Sequence, residues 1–74
     1  MLYYEIYVRN DYTICIKAKR EATKEDIYTY LKKYEGDAMA FDFSVADMEV
    51  YTITEAEAYN LYNMEYINTL PILQ

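Results

Sequence analysis

Thirteen carboxylates, eleven tyrosines and one thiol, with no histidine, define the chemistry open to this 74-residue chain. Without imidazole or a second cysteine there can be no Ser-His or Cys-His nucleophile, no zinc set of His or several Cys, and no intramolecular disulfide. A carboxylate pair can act as general acid and base, and Asp42, Asp47 and Glu49 are the nearest set in sequence. Nothing complements them. There is no glycine-rich phosphate loop and no serine in a tight-turn motif, and so small a domain has little room for a substrate pocket. The sole glycine, Gly36, lies outside any acidic loop of the calcium-binding type. The expectation is a protein that is not an enzyme and holds no metal or cofactor. Cys15, near Lys17, reads as an ordinary partly buried thiol.

The carboxylates are unevenly placed. Residues 1–33 hold all seven bases and five acids, leaving +2, whereas residues 34–74 hold eight acids and no base, leaving −8. A fold does not require such a division, so it reads as an acidic surface aimed at a basic partner. The basic half invites one rival. Lys17, Lys19, Arg20, Lys24, Lys32 and Lys33 form a candidate patch, with Tyr3 and Tyr7 on the sheet face of Lys17 and Lys19, as in sheets that stack single strands. The net charge of −6 argues against a polyanionic ligand, so no direct nucleic-acid binding is expected.

These side chains must be positioned by a small α+β domain. Leu2, Tyr4, Ile6 and Val8 alternate with polar neighbours, as do Tyr12, Ile14, Ile16 and Ala18, which predicts a hairpin over 2–19. A two-residue turn would put the two apolar rows on opposite faces. A three-residue loop, Arg9-Asn10-Asp11, pairs Val8 with Tyr12, Ile6 with Ile14 and Tyr4 with Ile16 on one face. Thr23 caps a helix over 23–35, with Ile27, Tyr30, Leu31 and Tyr34 as its stripe and Gly36 as a left-handed stop. Met39, Phe41, Phe43 and Val45 alternate over 38–45, predicting a third strand, and 48–53 a fourth; the alternative for the connection Ser44-Val45-Ala46-Asp47 is a short helical turn with Ser44 as its cap. Thr54 and Glu57 form a capping box opening a helix over 55–67, with Tyr59, Tyr62 and Tyr66 on one stripe. An apolar tail, 68–74, follows. The order ββαββα predicts one antiparallel sheet with two helices on one face, in a single compact domain over 1–74.

Aromatic content separates the chain from disordered acidic tails. No apolar run approaches the roughly 20 residues that span a bilayer, so no membrane partner is expected, and the first residues lack a secretory pattern. A cytoplasmic protein is the expectation. The apolar tail must cover something, either its own sheet or an edge of a second copy, so a homodimer is a possible assembly.

Tyrosine suits interfaces because it offers area, few rotatable bonds and a hydroxyl. Tyr3, Tyr7, Tyr28 and Tyr51 face outward by periodicity. On a strand, Asp47 and Glu49 would stand roughly 6.6 Å apart, comparable with neighbouring phosphates. Glu55 and Glu57 continue that surface. Asp42, Asp47, Glu49, Tyr51, Glu55 and Glu57 are therefore the candidate partner-binding residues. Their expected partner is a basic protein surface, the phosphate-holding groove of a nucleic-acid-binding enzyme. In size and charge the chain resembles the small acidic inhibitors that phages and mobile elements use against host nucleases, including anti-CRISPR and anti-restriction proteins. That likeness implies a nucleic-acid mimic; an antitoxin-like or regulatory interaction module is the alternative.

Overall fold

The computed structural model describes residues 1–39 and 41–74. Strands β1 (Leu2–Val8) and β2 (Tyr12–Ala18) form the hairpin in the expected register, with Val8 opposite Tyr12, Ile6 opposite Ile14 and Tyr4 opposite Ile16. Arg9 takes a left-handed φ of 54° in the three-residue loop. Its amide donates to the Asp47 carbonyl at 2.8 Å, which helps hold a conformation that side chains usually avoid. Helix α1 (Lys24–Tyr34) opens on Thr23, whose hydroxyl accepts from the Asp26 amide while the Asp26 carboxylate accepts from the Thr23 amide. Strand β3 (Met48–Ile53) pairs antiparallel with β1, giving a three-stranded sheet in the order β2-β1-β3.

Strand alternation gives the sheet two faces. One carries Tyr4, Ile6, Val8, Ile14, Ile16, Ala18 and Met48, all buried, and Ile27, Tyr30 and Leu31 of α1 complete its core. The Tyr4 hydroxyl accepts from the Ala22 amide at the approach to α1. The opposite face carries Tyr3, Glu5, Tyr7, Cys15 and Lys17, and helix α2 (Glu55–Leu61) lies over part of it. Tyr3 donates to Glu55, and Tyr62, just past α2, donates to Glu5. The helices are thus divided between the faces, in place of the shared face expected. Tyr3, expected outside, is only 6% exposed, and Cys15, expected partly buried, is fully enclosed.

Three expected elements change. The stretch 38–45 forms no strand among the described residues, Ala40 lying outside them. Its alternation reflects packing without pairing: Met39 and Phe43 are buried, while the Phe43 carbonyl accepts from Tyr28 and the Asp42 carbonyl from Arg9. Gly36 is no left-handed stop; it enters a 3₁₀ turn (Gly36–Ala38) closed by the Ala38 amide on the Glu35 carbonyl. The helix expected over 55–67 breaks after Leu61. Tyr62 is extended, and the Asn63 side chain caps a separate helix α3 (Met64–Ile67) through the Glu65 and Tyr66 amides. Asn competes for backbone donors and so favours a cap over a helix interior. The expected Tyr stripe dissolves with it. Ala58, Met64 and Ile67 are buried, whereas Tyr59 and Tyr66 are exposed.

The tail closes the sheet within its own chain. Leu73 is buried beside the outer edge of β2, its amide donating to the Lys17 carbonyl and its carbonyl accepting from the Lys19 amide. Tyr30 fixes the approach by donating to the Pro71 carbonyl at 2.7 Å. No helix is long and apolar enough to cross a membrane among the described residues.

Candidate protein-interaction surface

The structure treats the two acid types differently. All three ion pairs among the described residues use aspartates: Asp47 with Arg9, Asp26 with Arg20, and Asp42 with Lys32. Four glutamates find tyrosines instead. Tyr62 donates to Glu5 at 2.5 Å, Tyr51 to Glu49 at 3.0 Å, and Tyr66 and Tyr12 to Glu35 at 2.6 and 3.3 Å. Tyr3 makes a longer approach to Glu55, at 3.5 Å. A hydroxyl satisfies a carboxylate lone pair but leaves its charge uncancelled. Glutamates held this way keep their field, and the paired aspartates largely do not.

Among the expected partner-binding residues, Glu49 and Tyr51 come together, successive outward residues of β3 on the second sheet face. Glu55 begins α2 just beyond that strand. Glu57 closes the expected capping box, accepting from the Thr54 amide at 2.9 Å, and that bond holds its carboxyl below the ordinary range. Asp42 and Asp47 lie elsewhere. Lys32 sits 2.7 Å from Asp42 and holds its carboxyl low. Asp47 is part of a 3₁₀ turn (Val45–Asp47) rather than of β3, and its carboxylate accepts from the Ser44 amide at 2.8 Å. The evenly spaced Asp47–Glu49 strand pair therefore does not form.

Sequence reasoning missed Glu5, Tyr7 and Asn10. Cross-strand pairing places Glu5 opposite Tyr51 and Tyr7 opposite Glu49. With Asn10 of the hairpin loop, these four line a concavity of about 410 Å³ on the part of the face left open by α2. The Tyr7 and Tyr51 rings meet edge to face, centroids 5.8 Å apart and planes at 80°. The carboxylates raise both hydroxyls, Glu49 acting chiefly on Tyr51 and Glu5 on Tyr7. The period-2 pattern of β1 placed Tyr7 and Glu5 on this face; the partnership of β1 with β3 had no signal in the sequence.

The basic patch is dispersed. Lys17 donates to Asn68 at 2.8 Å, Arg20 turns to Asp26 and the Gln74 carbonyl, and Tyr3 is covered, so no stacking platform remains beside Lys17. Cys15 is enclosed and burial pushes its thiol up to about 11, which disfavours the thiolate. No group of three His, Cys, Asp or Glu able to hold a metal ion occurs among the described residues. The chemistry on offer at this surface is recognition of positive charge by carboxylates and aromatic rings. Compared with known protein families, with curated proteins and with solved structures, the chain matches none.

Proposed function

We propose that this protein is a non-enzymatic acidic binder that seats its open glutamate–tyrosine sheet face on a basic protein surface. The partner class we favour is a nuclease or other nucleic-acid-binding enzyme, whose phosphate-holding groove the bound protein would occlude, as anti-CRISPR and anti-restriction inhibitors do. One observation carries this reading. The carboxylates of the open face are hydrogen-bonded by tyrosine and backbone donors and have no cation paired to them among the described residues. Such a face attracts cations over distances set by ionic strength, and its carboxylates are already oriented for a basic partner.

The internal pairing of Asp42 and Asp47 favours a second reading, a regulatory module that recognises a basic surface with no nucleic-acid function. Competition separates the two. The immobilised protein is used to capture a basic partner, and labelled duplex DNA is then added. Mutual exclusion between DNA and this protein, with capture that weakens steeply as salt rises, supports the inhibitor. Failure of DNA to displace the captured partner, whether the partner binds DNA elsewhere or not at all, supports the regulatory module. Tight binding of DNA by the free protein rejects both.

A further inference from the structure

We propose that the concavity lined by Glu5, Tyr7, Asn10, Glu49 and Tyr51 is a guanidinium site that receives one arginine side chain of the docking partner. This deepens the docking reading above and rests on it for the identity of the partner.

The site is a checkerboard. Glu5 and Glu49 occupy opposite corners, Tyr7 and Tyr51 the other two, as their cross-strand pairing dictates. Diagonal neighbours across an antiparallel pair are within reach of long side chains, so the two carboxylates can approach one cation from opposite corners. The Tyr7 and Tyr51 rings, in edge contact on the other diagonal, lie between the two carboxylates and supply the aromatic surface that attracts a cation. Each carboxylate gives its Oε2 to a tyrosine hydroxyl, Glu5 to Tyr62 and Glu49 to Tyr51. Glu49 Oε1 accepts no hydrogen bond among the described residues and remains for a ligand.

The protein carries an internal version of this chemistry. The Arg9 guanidinium stands 4.9 Å from the Phe41 ring centroid, with Asp47 at 3.7 Å and the Asp42 carbonyl at 3.0 Å. That is a guanidinium held by one ring, one carboxylate and one carbonyl. The concavity offers two rings, two carboxylates and the Asn10 amide, and no base lines it. Arg9, although next to Asn10 in sequence, is directed to Asp42, Asp47 and Phe41 instead.

Other ligand classes fit less well. An anion meets two carboxylates and no donor cation. A hard divalent cation takes oxygen ligands and gains nothing from the two rings, and no group of three His, Cys, Asp or Glu gathers here among the described residues. At about 410 Å³ the concavity takes a side chain with its stem rather than a lone ion. Between ammonium and guanidinium, the planar, weakly hydrated guanidinium both stacks on rings and bonds carboxylates through its fork.

The test uses N-ethylguanidinium as the probe, titrated into isotope-labelled protein and followed by NMR, with ethylammonium in parallel. Saturable shifts confined to Glu5, Tyr7, Asn10, Glu49 and Tyr51 are expected, with guanidinium the tighter ligand by several-fold. Glu49→Gln and Tyr51→Ala should each weaken guanidinium binding roughly tenfold, while Glu21→Gln, which removes a remote charge, should not. Equal response to both probes, or shifts spread over all acidic residues, overturns the site. The two readings fail separately. Guanidinium binding without capture of any basic protein rejects the docking reading and leaves the site. Salt-sensitive capture that ignores Glu49→Gln and Tyr51→Ala rejects the site and leaves the docking.

Discussion

Alternate residues of the same strands build two unlike faces. Toward α1, Ile6 and Ile16 are 0% exposed and Ile14 3%, an apolar layer with no polar decision to make. On the other side, Glu5 and Tyr7 are half-buried, Glu49 and Tyr51 open, and α2 covers only Tyr3, Cys15 and their surroundings. The apolar face is where burial stabilises the chain, and it must be complete because a 74-residue domain has little surplus. The open part of the second face is relieved of that duty. Its tyrosines and glutamates satisfy one another, which lets negative charge stay on a rigid sheet without unpaired buried groups; none occurs among the described residues.

The largest test of this contrast is a pair of truncations. Ile16→Ala should cost about 2–5 kcal/mol, most of the margin of so small a domain, and urea melts should show a largely unfolded chain. Tyr51→Ala should cost about 1 kcal/mol or less, since its half-exposed ring loses only the edge contact with Tyr7 and the bond to Glu49. Comparable losses from the two would end the division of labour.

The next effect lies where tyrosine–glutamate chemistry crosses to the apolar side. Glu35 is 4% exposed at the end of α1 and accepts from Tyr12 of β2 and Tyr66 of α3. Removing the carboxylate leaves the half-buried Tyr12 hydroxyl without its acceptor and loosens three elements at once. Glu35→Ala should therefore cost about 1–3 kcal/mol, with Tyr66→Phe costing less because the Tyr66 ring is already 44% exposed. Urea midpoints of the two variants check the order.

How far the sequence disclosed these faces depends on what each residue answers to. The hairpin register was legible because one register alone puts Ile6, Ile14 and Ile16 on a common side. The Thr54–Glu57 capping box and the Thr23 N-cap were legible because they are local; that Asp26 returns a bond to the Thr23 amide was not anticipated. The segment 38–45 misled because alternating burial suits packing under α1 as well as pairing, and side chains of Tyr28 and Arg9 bond its carbonyls. The break at Tyr62 did have a signal, Asn63, outweighed by the aromatic spacing around it. Of the open face, Glu49 and Tyr51 were found from charge and period. Glu5, Tyr7 and Asn10 depended on β1 lying between β2 and β3, a long-range choice that no local pattern encodes.

Titration should separate covered hydroxyls and thiol from surface carboxylates at the two ends of the pH scale. Burial raises Cys15 to about 11 and Tyr30 to about 12, and raises Tyr3, Tyr12 and Tyr62 as well. These are acids kept neutral by the fold. Their stabilisation is complete below the ordinary thiol value of 9.0 and is lost as pH climbs through the folded values. The acid limb has the opposite sign. Asp26, Asp42, Asp47 and Glu57 are lowered, the first two chiefly by Arg20 and Lys32, the others by the Ser44 and Thr54 amides. Their contribution is present above the ordinary carboxylate range and fades as pH falls through the lowered values. Because the acidic groups are open to water and the alkaline set is enclosed, urea midpoints should fall further on the alkaline side. Cys15 should resist alkylation until that fall begins.

The smallest expected effect is also the one that isolates charge from packing. Asp42→Asn and Glu49→Gln each remove one negative charge from a chain of net −6 and barely change shape. A long-range electrostatic account treats them alike, both slightly stabilising through reduced self-repulsion. The geometry says otherwise. Asp42 faces Lys32 at 2.7 Å, so its neutralisation leaves a cation without its partner and should lower the urea midpoint. Glu49 faces a tyrosine and lies diagonally across from Glu5, with no base among the residues lining that concavity, so its neutralisation relieves repulsion and should raise the midpoint. Both shifts should shrink in high salt, because exposed charges are screened beyond about 8 Å already at physiological ionic strength. Opposite signs at low salt that converge at high salt establish that the aspartates are internally matched and the open-face glutamate is not. Equal signs at every salt concentration would reduce the acidic face to bulk charge.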